Sequence, residues 1–290
     1  MPSAFYSTEL RHELALRSQK WARRPGMVSE NSYGSMPVTV YAPSEDGSTH
    51  GNFHDDGYRE ICARPEWMAR FEKVHTTAAK ALPKTGRRWR ELDSSMSSDA
   101  LLMNIFCYPG VAAQSAVISM LGLEEAHQPE FGVKARVPLS NGRFDRTEVD
   151  MRLGPLLVEA KLTESDFQAR AIEVVKGYRD FEAVFRKGSL PRAKGKYMAY
   201  QLIRNVLAAH ATASSFCVMH DARRPDLREQ WYEVMQAVKD ARLRTRCKVL
   251  TWQELSAVLP ASLGEFLDLK YGIVPPGASA SLCRAECSLD

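Results

Sequence analysis

Apolar and polar residues alternate through most of residues 146–163, and the alternation is interrupted at Gly154-Pro155. A period of two is typical of half-buried strands, and Gly-Pro favours a turn, so this segment predicts two strands joined as a hairpin. One face is largely apolar and carries Thr147, Val149, Met151, Leu153, Leu156, Val158, Ala160 and Leu162. The other face is largely polar and carries Arg146, Glu148, Asp150, Arg152, Leu157, Glu159, Lys161 and Thr163.

Two acids on the polar face are predicted to meet. If the turn closes symmetrically about Gly154-Pro155, Asp150 lies directly opposite Glu159, with Cβ atoms roughly 4.5–5.5 Å apart. Like charges placed in this way repel each other, whereas a divalent cation between them reverses the argument. Lys161 follows Glu159 by two residues on the same face. Two carboxylates and a lysine on a buried sheet edge suit metal-assisted phosphodiester hydrolysis, because a cation neutralises phosphate charge and activates a bound water.

Periodicity and turn residues elsewhere predict a mixed sheet with helices on its faces. Further strands are predicted at residues 37–41, 131–139, 214–220 and 247–250, with a Ser140-Asn-Gly-Arg143 turn after the second of them. Helical crossovers lead to the last two strands, so each is expected to run parallel to a neighbour. Helices are predicted at residues 7–23, 65–82, 98–106, 111–121, 166–186, 197–210 and 226–243, with two more before residue 271.

Composition narrows the class of protein. A chain of 290 residues with an apolar fraction of 44% can form a sizeable core, and a net charge of +4 permits nucleic-acid binding without requiring it. Six scattered cysteines favour a reducing compartment. The chain shows neither a secretory pattern nor an apolar run of about 18 residues, so a cytoplasmic protein is predicted. No Gly-rich phosphate loop and no G-x-S-x-G motif is present, which argues against ATP hydrolysis and a serine-hydrolase triad.

The run Asp150-x8-Glu159-Ala-Lys161, on a strand pair followed by helices, resembles the PD-(D/E)XK nuclease superfamily. More closely, the chain is similar to a bacterial family classed as restriction endonucleases, over roughly residues 58–260. The matching segments are Arg64-Pro-Glu-Trp67, Ser97-Ser-Asp-Ala-Leu101, Asn104-Ile-Phe106, Thr147-Glu-Val-Asp150, Glu159-Ala-Lys-Leu-Thr-Glu164 and Tyr200-Gln-Leu-Ile-Arg-Asn205.

The resemblance implies a restriction-endonuclease-like α/β fold, in which a mixed β-sheet core is flanked by helices and preceded by an N-terminal helical extension. We expect three regions. Residues 1–57 are an N-terminal helix with a loosely ordered arm, residues 58–272 form the nuclease domain, and residues 273–290 are a disordered tail.

The resemblance also implies roles for individual residues. Asp150 and Glu159 would ligate Mg²⁺ or Mn²⁺, and Lys161 would stabilise the charge developing on the phosphate or position the attacking water. Gln201, together with Tyr200, matches a supporting position of the superfamily. Many members carry a further glutamate upstream, but the corresponding strand here, Phe131-Gly-Val-Lys-Ala-Arg136, contains no acid. The candidates to replace it are Asp99, Gln114 and Glu148.

The expected partner is DNA. Basic loops would grip its phosphates, with Trp89 available to stack on a base. A homodimer is compatible with the sequence but not required by it. The residues predicted to bind nucleic acid are Arg87, Arg88, Lys194, Lys196 and Arg204.

Simpler interpretations compete with a metal site. Glu159 and Lys161 could lie on the solvated face of a hairpin, with a cross-strand ion pair between Glu148 and Lys161. The acid-x-lysine pattern also occurs readily by chance, because Asp268-Leu-Lys270 repeats it on a predicted helix. The favoured function is a metal-dependent DNA endonuclease in restriction, defence or repair. The alternatives are a catalytically inactive nuclease-fold protein that binds nucleic acid, and a structural component.

Overall fold

A computed structural model describes residues 2–33, 36–73 and 89–278 of the chain. Contacts divide the chain into two compact units. The sheet unit comprises residues 1–7 and 127–250, and the helical unit comprises residues 8–126 and 251–290. The domain boundaries predicted from the sequence, after residues 57 and 272, stay predictions.

The described residues form both strands and helices. The strands are β1 (Val28–Asn31), β2 (Thr39–Ala42), β3 (Pro129–Lys134), β4 (Val137–Pro138), β5 (Phe144–Asp145), β6 (Glu148–Leu153), β7 (Leu156–Ala160), β8 (Arg170–Ala171), β9 (Arg192–Ala193), β10 (Lys196–Tyr197), β11 (Ser215–His220) and β12 (Cys247–Thr251). The α-helices are α1 (Pro2–Ala22), α2 (Asp55–Ala63), α3 (Pro65–Phe71), α4 (Ser98–Phe106), α5 (Ser115–Leu121), α6 (Ile172–Lys176), α7 (Phe181–Val184), α8 (Tyr200–Ala211), α9 (Pro225–Ala237), α10 (Ala241–Thr245), α11 (Trp252–Ser256) and α12 (Ala261–Tyr271). Short 3₁₀ helices cover Glu91–Asp93, Val111–Ala113 and Lys187–Ser189.

A five-stranded sheet with the order β12-β11-β7-β6-β3 organises the fold. β6 pairs antiparallel with both β3 and β7, whereas β11 runs parallel to β7. The parallel pair needs a crossover, and α8 lies in the connection between β7 and β11. The sheet is therefore mixed and the chain is an α/β protein, as the sequence predicts.

The β6–β7 hairpin has the predicted register. Met151 pairs with Val158, and Leu153 pairs with Leu156. Gly154 in the turn has a φ of +57°, a left-handed conformation that glycine adopts without a Cβ clash. Every second residue of β6 is buried, so the predicted apolar face of this strand packs into the core.

The core of the sheet unit lies between the sheet and α8. Apolar residues of α8 are buried at positions 202, 203, 206 and 207, a helical spacing that fixes the rotation of the helix. Residues of β6, β7 and β11 share the same apolar cluster with them. This packing determines which polar residues of α8 meet β7.

The long helix predicted at residues 166–186 is wrong. The segment forms β8 and the two short helices α6 and α7 instead. Gln168 has a φ of +60°, and β8 pairs antiparallel with β10. A backbone pairing with residues far along the chain therefore overrides the local helical pattern.

The single helix predicted at residues 226–243 is divided into α9 and α10. Between them, Val238 forms an isolated antiparallel bridge with Phe185, and the Lys239 N–H donates to the Val184 carbonyl at 2.9 Å. These bonds interrupt the helix, because the same backbone groups cannot also form the hydrogen bonds of an α-helix.

Most predicted strands are present. β11 and β12 confirm the strands predicted at residues 214–220 and 247–250. The strand predicted at residues 131–139 is divided into β3 and β4, and Arg136 between them has a φ of +51°. The turn predicted at residues 140–143 joins β4 to β5.

The helical unit agrees with the pattern in several places. The Ser97 hydroxyl caps α4 by accepting a hydrogen bond from the Ala100 N–H at 3.1 Å. α3 begins at Pro65 as predicted but ends at Phe71, and the predicted helical residues from 74 onward lie outside the described residues. β2 covers the strand candidate near residue 40, and the sequence missed its partner β1. None of the described helices combines the length and apolar character needed to cross a membrane.

Candidate active site

Asp150 reaches from β6 toward β7. The last paired residues of the hairpin are Met151 and Val158, so the same register sets Asp150 against Glu159. Asp150 Oδ2 accepts a hydrogen bond from the Ala160 N–H at 2.7 Å. This bond holds the Asp150 carboxyl group against the backbone of β7, one residue from Glu159 in the strand.

Glu159 and Lys161 form a buried ion pair. Glu159 is 1% exposed and Lys161 is 4% exposed. Residues two apart on a strand share a face, and the Lys161 Nζ donates to Glu159 Oε1 at 2.7 Å. The alternative of a solvated hairpin face is therefore wrong for these two residues, and Lys161 has Glu159 as its ion-pair partner.

Two residues of α8 complete the surroundings of Glu159. The Asn205 Nδ2 donates to Glu159 Oε2 at 2.7 Å. Arg204 is buried, and its guanidinium donates to Asn205 Oδ1 at 2.9 and 3.1 Å and to the Glu148 carbonyl at 3.0 Å. Arg204 thus fixes the amide orientation of Asn205, and Asn205 in turn fixes the carboxylate of Glu159.

Charges in the site set the protonation of both partners. Burial raises the pKa of the Glu159 carboxyl, but the charges of Lys161 and Arg204 and the hydrogen bonds from Lys161 and Asn205 outweigh it, so that this pKa lies below its usual value. Burial lowers the pKa of Lys161, and the charges of Glu159, Glu164 and Asp150 more than offset this, so that its pKa lies above its usual value. The pair is therefore ionised at neutral pH.

Gln201 lies one helical turn before Asn205 on α8. Its side-chain carbonyl oxygen, Oε1, is buried and has no hydrogen-bond partner among the described residues. A buried polar atom without a partner is costly, and such atoms are uncommon in native structures. The described residues therefore leave this acceptor of Gln201 available to a water or a substrate group.

Tyr200 belongs to a hydrogen-bonded group at the start of α8. Its hydroxyl lies 2.8 Å from the Tyr178 hydroxyl and donates to Asp145 Oδ2 at 3.4 Å. The Tyr178 hydroxyl also donates to Asp145. Burial raises the pKa of Asp145, but hydrogen bonds from Thr147 and Tyr178 and the charge of Arg204 outweigh it and lower the pKa overall. The sequence did not single out this acid.

The three candidates for a further site residue have different surroundings. Asp99 forms a buried ion pair with Arg70 in the helical unit. Gln114 also lies in the helical unit, with its side-chain oxygen buried. Glu148 lies on β6, two residues before Asp150. Within the described ranges, no group of three or more His, Cys, Asp and Glu residues is arranged to hold a metal.

The basic residues predicted to contact nucleic acid fall in three places. Lys194 and Lys196 are exposed at the turn between β9 and β10. Arg204 is buried beneath the surface and bonded as described above. Arg87 and Arg88 lie outside the described residues.

The carboxylate oxygens of this site are the type of ligand that a hard divalent cation prefers. Asp150 and Glu159 offer carboxylate oxygens, which have lone pairs beyond the hydrogen bonds that they accept. Mg²⁺ is commonly bound by one or two carboxylates together with waters and substrate phosphates. A cation between these acids would therefore take its other ligands from water and phosphate.

The hydrogen bond from Asn205 to Glu159 was not predicted from the sequence. The sequence places Gln201 and Asn205 on one face of a helix, but helix surfaces are ordinarily polar and the spacing alone does not favour a site. The stronger signal was Arg204-Asn205 inside the apolar run from Leu202 to Ala209. Polar residues in such a run are buried and need partners.

Comparison with known proteins identifies the family of the chain. No curated protein and no solved structure matches the chain significantly. One family model matches residues 15–272, which is most of the chain, and its description is "Restriction Endonuclease associating with ARP". The match contains the β6–β7 hairpin and α8, and with them every residue described around Glu159. The chain therefore belongs to this family of restriction endonucleases.

Proposed function

We propose that the protein is a metal-dependent endonuclease of the PD-(D/E)XK type that hydrolyses DNA phosphodiester bonds in restriction, defence or repair. The main support for this proposal is that Asp150, Glu159 and Lys161 lie on one hairpin. The buried Lys161 Nζ and Glu159 Oε1 are 2.7 Å apart. A buried charged pair is costly to maintain for stability alone. Membership of a restriction-endonuclease family supports the same function.

The residues divide the work of hydrolysis. Asp150 and Glu159 would hold Mg²⁺ or Mn²⁺, which when bound neutralises phosphate charge and lowers the pKa of a water ligand. The Lys161 ammonium is positioned by Glu159 to stabilise negative charge that develops on the phosphate. Asn205 keeps the Glu159 carboxylate in one orientation, and Arg204 keeps Asn205 in its own. Gln201 offers a buried acceptor to a water or a substrate group.

Asp150→Asn is the sharpest test of this function. Asparagine retains an oxygen that can accept the hydrogen bond from the Ala160 N–H, so the hairpin should persist while the negative charge is lost. We expect Mg²⁺- or Mn²⁺-dependent cleavage of DNA to fall by more than about 100-fold. The measurement is single-turnover cleavage of plasmid and linear duplexes.

Arg152→Ala is the matched control for that variant. Arg152 lies two residues from Asp150 on β6, is exposed and pairs with Glu130 at 2.7 Å. Exposed ion pairs contribute at most about 1 kcal/mol, so its removal should leave cleavage unchanged. Equal cleavage by the parent and Asp150→Asn would refute the proposed function.

The second candidate is a nuclease-fold protein that binds nucleic acid without cleaving it. It is favoured by the lack, among the described residues, of three or more His, Cys, Asp and Glu residues arranged to hold a metal, and by the occupation of both Glu159 oxygens by Lys161 and Asn205. Salt-sensitive binding to DNA, without turnover in Mg²⁺, Mn²⁺ or Co²⁺, would favour it. A cytoplasmic location and a homodimer also stay proposals.

A further inference from the structure

A basic cavity lies in the sheet unit, outside the residues assigned to catalysis. It has a volume of about 230 Å³ and is lined by Lys134, Arg136 and Arg146. All three side chains are exposed. None of them is among the residues that the sequence predicts to bind nucleic acid.

Glu148 lies opposite Lys134 in the register of β3 and β6 and offsets part of the positive charge at the cavity. Among the described residues, no acidic side chain forms an ion pair with Lys134, Arg136 or Arg146, although Glu130 forms one with Arg152 on the same strand pair. Like charges around one cavity repel each other, and the repulsion falls when an anion enters. The cavity is therefore electrostatically suited to an anionic ligand.

Arg136 is held in a specific position. It has a φ of +51°, a left-handed conformation that costs a non-glycine residue roughly 1 kcal/mol or more. Its guanidinium carbon lies 4.9 Å from the centroid of the Phe144 ring, which is 43% exposed. Stacking on an aromatic face orders the guanidinium while its N–H groups remain able to donate. A costly backbone conformation that presents an ordered cation is a feature that binding sites commonly show.

The cavity also lies close to the candidate active site along the same strands. Lys134 is the register partner of Glu148, which precedes Asp150 by two residues on β6. Arg146 precedes Asp150 by four residues, so their Cα atoms are at most about 14 Å apart. A DNA strand advances about 3.4 Å per phosphate along the duplex axis, so this distance corresponds to at most about four phosphates.

We propose that Lys134, Arg136 and Arg146 bind the phosphate backbone of duplex DNA beside the scissile bond and set the register of the substrate on the active site. This inference rests on the proposed function for the identity of its ligand. The contacts are to phosphates and therefore give affinity and position without reading base sequence.

The test is the salt dependence of DNA binding by the double variant Arg136→Gly/Arg146→Ala. Glycine tolerates the backbone conformation of Arg136, so the thermal unfolding temperature should be equal to or higher than that of the parent. Binding of a fluorescent duplex is measured by anisotropy in Ca²⁺ at several salt concentrations. Each lost phosphate contact reduces the slope of log K against log salt by about 0.9, so we expect a reduction of about 2.

The matched control is Lys176→Ala/Arg179→Ala, which removes the same charge from exposed positions of the sheet unit. These residues already have acidic partners, Glu173 and Asp180. We expect the parental slope from this variant. The inference is overturned if Arg136→Gly/Arg146→Ala also retains the parental slope.

Cleavage by the parent in Mg²⁺ separates this inference from the proposed function. If the parent cleaves DNA and the cavity variant keeps the parental slope, the inference is wrong and the proposed function stands. If the parent does not cleave but the cavity variant has a reduced slope, the proposed function is wrong and the three cations remain only as a DNA-binding surface. A parent that does not bind duplex DNA removes both.

Discussion

Glu159-Ala-Lys161 and Asp268-Leu-Lys270 have the same spacing, but the chain places their lysines in opposite surroundings. In the extended chain at the end of β7, residues two apart share a face, and Lys161 meets Glu159 at 2.7 Å. On α12, residues two apart point in different directions, so Lys270 is buried while Asp268 is partly exposed. The secondary structure, and not the spacing, decides whether acid and lysine form a pair.

Lys270 is held by dipoles and rings instead of by an acid. Its Nζ donates to the Gly51 carbonyl at 2.8 Å and lies 4.0 Å from the centroid of the Tyr41 ring. Within the described part of the helical unit, no acidic side chain forms an ion pair with it. Three more rings lie within 6 Å of the Nζ, those of Trp21 at 5.6 Å, Phe266 at 5.9 Å and Tyr271 at 5.8 Å.

Folding therefore shifts the pKa values of the two lysines in opposite directions. Burial lowers the pKa of Lys270, and the charge of Arg24 acts in the same direction. Burial also lowers the pKa of Lys161, but the nearby carboxylates reverse the outcome and raise it. A lysine that is held firmly charged is suited to stabilise phosphate charge, whereas Lys270 is suited to fill a core.

Matched substitutions of the two lysines give the largest expected difference. Lys161→Met leaves Glu159 buried without its ammonium partner, so we expect a loss of about 3–5 kcal/mol in the free energy of unfolding, together with loss of cleavage. Lys270→Met replaces a buried amine by a thioether among aromatic rings, so the change should be within about 1 kcal/mol and cleavage should persist.

Chemical denaturation and single-turnover cleavage of both variants check this contrast. The Gly51 carbonyl keeps a hydrogen bond from the Trp21 indole at 2.9 Å when Lys270 is replaced, so no buried acceptor is orphaned. Equal destabilisation by the two substitutions would contradict the distinction drawn between the lysines.

Asn205→Ala should have a smaller effect on the Lys161 side of the comparison. It removes the hydrogen bond that orients Glu159, and positioning residues around a metal ligand typically contribute about 10–100-fold to metal affinity or activity. We therefore expect cleavage to fall by this factor and the Mg²⁺ concentration at half-maximal rate to rise. Gln236→Ala, at an exposed position of α9, is the control. An unchanged Mg²⁺ requirement would assign Asn205 a structural role alone.

The smallest expected effect is the pH dependence associated with Lys270. Its folded pKa is below the unfolded value of about 10.4, so the unfolded chain binds more protons between the two values. The free energy of unfolding of the parent, relative to Lys270→Met, should therefore rise with pH through this window up to about 10.4. Urea unfolding at a series of pH values measures it. A difference that falls with pH would show that the rings and the Gly51 carbonyl outweigh burial.

The hairpin could be predicted from the sequence because its determinants are local. Alternation with period two and the Gly154-Pro155 turn fix the register, and the register sets Asp150 against Glu159. Strands β11 and β12 were predictable for a related reason, since their apolar runs lie between clear helices.

Features that depend on contacts distant in sequence could not be predicted in this way. The helical pattern at residues 166–186 is overridden because β8 pairs with β10. Arg204 has a charge that favours a surface position, yet it is buried because Asn205 and the Glu148 carbonyl satisfy its donors. The basic cavity was missed because Arg146 follows Arg136 by ten residues and joins Lys134 and Arg136 only when the chain folds.

Binding of Mn²⁺ tests the central claim most directly, because it reports on Asp150 and Glu159 before any chemistry occurs. Electron paramagnetic resonance can follow Mn²⁺ titration of the parent and Asp150→Asn, each with a duplex made resistant to cleavage by phosphorothioate linkages. We predict saturable binding by the parent and a loss of at least about 10-fold in affinity for the variant. Equal Mn²⁺ affinity in the two proteins would contradict a metal site between the two acids.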